Sequence, residues 1–270
     1  MSTKSSSYFR EALALHHNNR LDPAIRAYRD GLCSEPSNAV AHYNLGMALR
    51  AKGDSEAAIA CYREALRLKP EFADAHNNLG LVLKQKGEVG AAIAEYQEAL
   101  RICPTLKMAR HNLGLAFEAE GNQEAAVAEY EESLRLDPND GRAHELLGIA
   151  FKKTGNLIGA IAHLRQSVAS SSASPGAYIL LGTTLSDAQR EEEEIAAYRE
   201  AVQIFPYDSQ LRYMLGNTLV GTNRLSAGAS ELLKAIRLNP RRRDAYIALA
   251  LCLPLALLNN LLGIRPGSKQ

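Results

Sequence analysis

Three histidines, His42, His76 and His144, stand in one recurring place of the chain, and histidine is the commonest protein ligand for zinc. His144-Glu145 also opens a match to the zinc-binding helical pattern H-E-x-x-H, but Gly148 stands where the second histidine is required. The recurrence itself argues against a shared ion. Equivalent places of successive repeats lie on the order of 10 Å apart, whereas zinc–nitrogen bonds are only ~2 Å long. No metal and no cofactor is expected. Glu191, Glu192, Glu193 and Glu194 place four carboxylates in a row. They suit the positive end of a helix dipole and read as a solvated helix start, not as general acids or bases. The chain contains neither a phosphate-cradling G-x-x-x-x-G-K-[ST] loop nor a nucleophile elbow. No group of residues demands catalysis, and no enzyme is expected.

Cys33, Cys61, Cys103 and Cys252 are far apart, and none forms a C-x-x-C pair. That is too sparse for a disulfide framework and reads as small apolar residues in a reducing compartment. Residues 1–8 are polar and Ser-rich, without the apolar stretch of a signal peptide. A cytoplasmic protein is expected, with peripheral or C-terminal membrane attachment as the alternative. The 31 basic and 30 acidic side chains leave a formal charge of +1. Such a balance gives no overall field for nucleic acid, and none is expected as a partner.

A repeat organises the rest. Pro36, Pro70, Pro104 and Pro138 are each 34 residues apart; Ser172 interrupts the series, and Pro206 and Pro240 resume it in register. Leu45-Gly46, Leu79-Gly80, Leu113-Gly114, Leu147-Gly148, Leu181-Gly182 and Leu215-Gly216 keep the same period. So do Ala24, Ala58, Ala92, Ala126 and Ala160, and Tyr28, Tyr62, Tyr96, Tyr130 and Tyr198, with Leu164 and Leu232 replacing tyrosine in two units. Agreement in phase of several independent positions predicts a solenoid. Within each unit two apolar stripes at helical spacing, such as Ala75, Leu79, Val82 and Leu83, then Ala92, Ile93, Tyr96 and Leu100, predict a helical hairpin turned at Gly87 and stopped by Pro104. A glycine inside a helix costs ~1 kcal/mol against alanine. Its recurrence before each tyrosine predicts a close approach of the two helices that offsets the cost.

The order Leu45, Gly46, Leu49, Ala58, Tyr62, Ala65, Pro70 resembles the tetratricopeptide repeat. Two places depart from that family: its frequent Trp is Tyr8, His42, His76, Arg110, His144, Tyr178 or Arg212 here, and the Tyr expected after Leu-Gly is Leu or Phe, as in Leu49 and Phe117. Seven units are read at 5–38, 39–72, 73–106, 107–140, 141–174, 175–208 and 209–242, followed by 243–270 as a partial eighth repeat or apolar cap and tail. The resemblance implies an all-α, right-handed α-solenoid, with first helices lining a concave side, and a scaffold or adaptor that holds protein partners. Ser170-Ser171-Ser172-Ala173-Ser174-Pro175-Gly176 disfavours helix and marks either a looser turn or a hinge.

Asn44, Asn78 and Asn112 each precede a Leu-Gly pair. An amide offers a donor and an acceptor to a peptide unit. Repeats spaced on the order of 10 Å would meet an extended chain, at ~3.3 Å per residue, about every third residue. Tetratricopeptide arrays resembling that of O-GlcNAc transferase grip extended peptides with such a ladder, so the resemblance implies peptide binding by these three. The bland alternative is that they are exposed or tie neighbouring helices together. Leu146, Leu180 and Met214 end the ladder. Helical position adds Tyr43, Asn77, Lys84, His111, Glu118, Arg142, Glu145, Lys152 and Tyr213 as groove candidates. The carboxylate clamp of chaperone-binding relatives is absent, since its cationic places hold Phe9, Tyr43, Val40, Asp74 and Met108.

The stretch 245–264 carries no charge and follows Arg241-Arg242-Arg243. Three readings stay open: a capping helix, a surface for a partner or for self-association, and a membrane anchor, against which Pro254, Asn259 and Asn260 argue. The preferred function is a scaffold binding an extended segment in the concave groove. The alternatives are a membrane-associated assembly factor and a recognition subunit for a glycosyltransferase acting in trans, since residues 243–270 are too few for a catalytic domain.

Overall fold

A computed structural model describes residues 3–171 and 173–252. Among them the fold is all-α, with fifteen helices and no strand. The chain forms two compact units, Met1–Pro138 and Asn139–Gln270. The first contains α1 (Thr3–His17), α2 (Leu21–Ser34), α3 (Ala39–Lys52), α4 (Ser55–Leu68), α5 (Ala73–Gln85), α6 (Val89–Ile102), α7 (Lys107–Glu120) and α8 (Gln123–Leu136). The second contains α9 (Gly141–Lys153), α10 (Leu157–Ala169), α11 (Pro175–Asp187), α12 (Glu191–Ile204), α13 (Ser209–Gly221), α14 (Leu225–Leu238) and α15 (Arg243–Cys252). Consecutive helices within each unit pack as hairpins, and each hairpin packs on the next, giving an α-solenoid of stacked pairs.

The sequence explains where each helix stops. Second helices α2, α4, α6, α8, α12 and α14 end just before the residue preceding a proline. That residue, for example Lys69 with ψ 85 or Cys103 with ψ 88, has left the helical region, because a following proline ring disfavours α geometry. The turn inside each hairpin needs one residue with a left-handed backbone. Glycine supplies it at Gly53, Gly87, Gly121 and Gly155, and Asn19, Gln189 and Asn223 adopt it with φ of 56, 57 and 61.

Inside a hairpin the glycine of the first helix faces the tyrosine of the second. A Cβ added at Gly114 would lie 2.3 Å from Tyr130 Cε1, and one at Gly46 would lie 2.7 Å from Tyr62 Cε1. Tyr62, Tyr96, Tyr130 and Tyr198 have no exposed surface, nor do Ala58, Ala92, Ala126 and Ala160. These helices therefore pack at a separation that only a missing side chain allows.

The place where the family often carries Trp has its own task here. His42 Nε2 and His76 Nε2 hydrogen-bond the carbonyl oxygens of Pro36 and Pro70 at 2.9 and 3.1 Å. Arg110 Nη2 and Arg212 Nε donate to Pro104 O and Pro206 O, both at 2.9 Å. Three of the four also reach a carboxylate on the second helix: His76 to Glu95, Arg110 to Glu129 and Arg212 to Glu231, at 2.6, 3.0 and 2.9 Å. A polar side chain thus fastens the turn between repeats to the hairpin that follows it.

One expectation changes. The row of glutamates is not a wholly solvated helix start. Glu194 is buried and accepts from Thr218 Oγ1 at 2.7 Å, while Glu193 pairs with Arg165 and Arg190 and Glu192 with Arg224. They tie α12 to α10 and α13. The Ser-rich stretch forms the turn between α10 and α11. Val168 and Ala173 pack against the cluster around Tyr178, and Ser174 caps α11 by accepting from Ala177 N; Ser172 lies outside the described residues, and the boundary between compact units follows Pro138.

Of the apolar stretch 245–264, only the part up to Cys252 is described; Pro254, Asn259 and Asn260 lie outside the described residues. Ala245, Ala248 and Leu249 of α15 are buried together with Leu232 and Ile236 of α14. Self-association through this helix gains no support from that inward packing. No helix among the described residues is long and apolar enough to cross a membrane.

Candidate functional site

In the first unit α3, α5 and α7 pack side by side, and they carry eight of the candidate residues. Tyr43, Asn44, Asn78, Lys84 and Glu118 are half-buried, while Asn77, His111 and Asn112 are buried. Asn78 Nδ2 donates to Tyr43 Oη at 2.9 Å and to Asp74 O at 3.1 Å. Asn112 Nδ2 donates to Asn77 Oδ1 at 2.9 Å. Each of these two asparagines therefore reaches back to the neighbouring first helix. Asn44 differs, with no side-chain hydrogen-bond partner among the described residues. His111 Nε2 bonds Ser133 Oγ on α8 at 3.1 Å.

Tyr43 packs its ring against Phe72 and Tyr62, with centroids 4.8 and 6.0 Å apart. Burial raises its phenol pKa, Asp74 adds to the rise, and Arg50 and the Asn78 bond oppose it. Burial lowers the Lys84 pKa against the opposing charge of Glu118. Glu118 Oε1 accepts from Tyr130 Oη at 3.1 Å. These charges are sheltered enough to act on their neighbours, which strengthens any charged hydrogen bond formed there.

The remaining candidates belong to the second unit. Arg142 is exposed and pairs with Glu145 along α9 at 2.9 Å. Lys152 Nζ lies 2.9 Å from Asp187 Oδ2 and donates to Thr183 Oγ1 at 3.2 Å, both on α11. Tyr213 of α13 lies under the Arg242 guanidinium, 5.4 Å from its ring centroid. His144 is buried with its Nδ1 3.0 Å from His163 Nδ1. No group of three or more His, Cys, Asp or Glu that could hold a metal ion occurs among the described residues.

The stacked hairpins with this glycine–tyrosine register match the description Tetratricopeptide repeat over 43–106, 145–209 and 213–253, and the description TPR repeat over 117–155. The chain belongs to the tetratricopeptide repeat family. Proteins of this family are generally protein-interaction scaffolds and are typically not enzymes. No curated protein matches the chain. Solved structures with the same fold include MamA, 25% identical with a TM-score of 0.54 over 58% of this chain and 92% of that one. PilW, described as a type IV pilus biogenesis factor, is 20% identical with a TM-score of 0.68 over 80% and 100%. A tetratricopeptide repeat protein from Parabacteroides merdae is 17% identical with a TM-score of 0.63 over 93% and 99%.

In this tetratricopeptide array the sequence reading passed over Arg50. Arg50 is half-buried on α3, and its charge and a side-chain hydrogen bond act on the Tyr62 phenol. Comparing Arg50, Lys84 and Glu118, which share one place in the repeat, would have exposed a change of charge along the array.

Proposed function

We propose that the protein is a scaffold that holds an extended segment of a partner protein against the face built by α3, α5 and α7. One observation carries this reading. Asn44 leaves its amide uncommitted among the described residues, beside the half-buried Tyr43 and in line with Asn78 and Asn112. A free amide next to an aromatic platform is suited to a peptide backbone, which needs one donor and one acceptor per unit. The division into seven repeats from 5 to 242, the groove roles of Asn77, Lys84, His111, Glu118, Arg142 and Lys152, and a cytoplasmic setting belong to the same proposal.

A photo-crosslinking amino acid placed at position 44, compared with one at position 63 on the exposed side of α4, tests it. Crosslinks to a discrete partner from position 44 and none from position 63 are expected. Partners captured from position 63 alone, or equally from both, would overturn the reading.

A further inference from the structure

On α4, α6 and α8 an arginine closes on a glutamate three residues earlier. Arg67, Arg101 and Arg135 donate through Nη2 to Oε1 of Glu64, Glu98 and Glu132 at 2.7, 2.7 and 2.6 Å. They donate through Nε to Oε2 of the same residues at 2.8, 2.9 and 2.6 Å. Two parallel bonds from one guanidinium match the two oxygens of a carboxylate. The 34-residue register carries this arginine on to Arg237 of α14, but Lys234 stands in the glutamate's place. Arg237 is exposed and makes no hydrogen bond or ion pair among the described residues.

A surface pocket of about 220 Å³ gathers Arg237 and Lys234 with Arg212, Pro206, Tyr207 and Leu238. Tyr207 is 85% exposed. The matching places along the chain hold Ser37, Glu71, Thr105, Asn139, Ala173 and Arg241, so the projecting ring is peculiar to this turn. Glu231 receives Arg212 Nη1 and Lys234 Nζ on its two oxygens, at 2.9 and 2.6 Å. Three cations against that one carboxylate leave two positive charges in surplus. Asp208, beside Tyr207, is turned to α13, where it accepts from Gln210 N and Leu211 N at 2.8 and 2.9 Å. Its charge lowers the surplus without cancelling it.

We infer that Arg237 and Lys234 bind a carboxylate side chain of a partner protein, an Asp or Glu next to an apolar residue that lies on Tyr207 and Leu238. This surface belongs to the second unit and stands independently of the face built by α3, α5 and α7. The sister arginines identify the ligand chemistry, because the same guanidinium at the same place on its helix holds a carboxylate wherever the chain supplies one. On α14 the carboxylate has to come from outside. Lys234 adds a second donor on the same side, and a lysine with three N–H groups keeps two after bonding Glu231. Pro206, Tyr207 and Leu238 offer an apolar seat beside the charges, which an apolar side chain would cover and withdraw from water.

The test uses the full chain and a displayed library of random dodecapeptides. The library is first depleted on the Lys234→Glu chain and then selected on the unaltered chain. Lys234→Glu restores the glutamate that closes on the sister arginines, so it should shut the site without harming the fold. Glu95 with Glu98 and Glu129 with Glu132 already stand in that arrangement on α6 and α8, and the melting temperature should not fall. Surviving peptides with Asp or Glu beside an apolar residue are expected. Titrated by fluorescence anisotropy, such a peptide should bind Lys234→Glu about tenfold more weakly or worse and Arg237→Gln about fivefold more weakly. Arg67→Gln, which alters a sister arginine already paired, should bind it unchanged. No surviving peptides, survivors without acidic residues, or equal loss from Arg67→Gln would overturn the inference. A labelled thymidine oligonucleotide is titrated alongside. Binding of that strand, abolished by Lys234→Glu while no peptide survives, would replace the carboxylate with a phosphate backbone.

Discussion

Asn112 donates to Asn77 from one first helix to the next, over 2.9 Å, with both residues 8% exposed. A buried amide left unpaired costs about 1–3 kcal/mol, so Asn112→Ala should destabilise the first unit by that order. Asn44→Ala, which breaks no hydrogen bond among the described residues, should cost under about 0.5 kcal/mol. Urea unfolding followed by circular dichroism compares the two, and equal losses would contradict the difference in their environments.

Gly114 and Tyr130 form a coupled pair. Gly114→Ala gains helix propensity worth ~1 kcal/mol but drives a methyl group to within 2.3 Å of the Tyr130 ring. Overpacking of this kind costs about 1–3 kcal/mol, and a net loss is expected because the ring has no free space to yield. Trimming the ring should relieve the clash, so the double variant Gly114→Ala with Tyr130→Leu should lose less than the sum of the two single variants. Additive losses would show that the two side chains do not compete for one volume.

Arg110 tests the fastening of repeat to repeat. Its guanidinium holds both Pro104 O and Glu129, and its side chain is only 12% exposed. Arg110→Met keeps the apolar stem and removes both bonds, with an expected loss of about 1–3 kcal/mol. Hydrogen exchange should show the loss concentrated between residues 102 and 112. Uniform change across the chain would argue against a local fastening.

Two histidines should respond to pH in opposite directions. At His76 burial opposes the charge, but the hydrogen bond to Glu95, the Pro70 carbonyl and the charges of Glu95 and Glu98 outweigh it and raise the pKa above 6.5. Its stabilisation is complete below that value and is lost as pH rises through the folded pKa. At His163 burial, reinforced by His144, lowers the pKa below 6.5. Its contribution is present above 6.5 and is lost as pH falls through the folded pKa. Between about pH 5.5 and 8, His76→Gln should therefore cost most on the acid side, and His163→Gln should cost most on the alkaline side. Thermal unfolding of each variant against the unaltered chain reads both slopes, and slopes of the same sign would refute the assignment.

Gln189 occupies a left-handed backbone with φ 57, a conformation that strains a side chain by about 1–2 kcal/mol. Gln189→Gly should raise stability by about 0.5–1 kcal/mol after the added freedom of the unfolded chain is counted. An unchanged or lowered melting temperature would show that the turn carries no such strain.

The fold was legible because its signals are local and repeated. Proline before a stop, glycine opposite tyrosine and an apolar stripe at helical spacing each act within one hairpin, and their phase adds up over the chain. The environment of the candidate site was less so. Whether an asparagine beside a buried leucine faces solvent or the next helix depends on what stands one repeat earlier. Tyr43 and Asn77 accept from Asn78 and Asn112, whereas Asn44 has no such neighbour among the described residues. Glu194 was misread for the same reason, since the threonine that receives it, Thr218, lies on a different hairpin.

Within each unit, the main helix contacts among the described residues join helices adjacent or next but one in the chain. Few long loops must close before contacts form, which favours rapid assembly. A nascent chain leaving the ribosome can thus lock each hairpin of a unit onto the last as it emerges, without waiting for the unit's final helix.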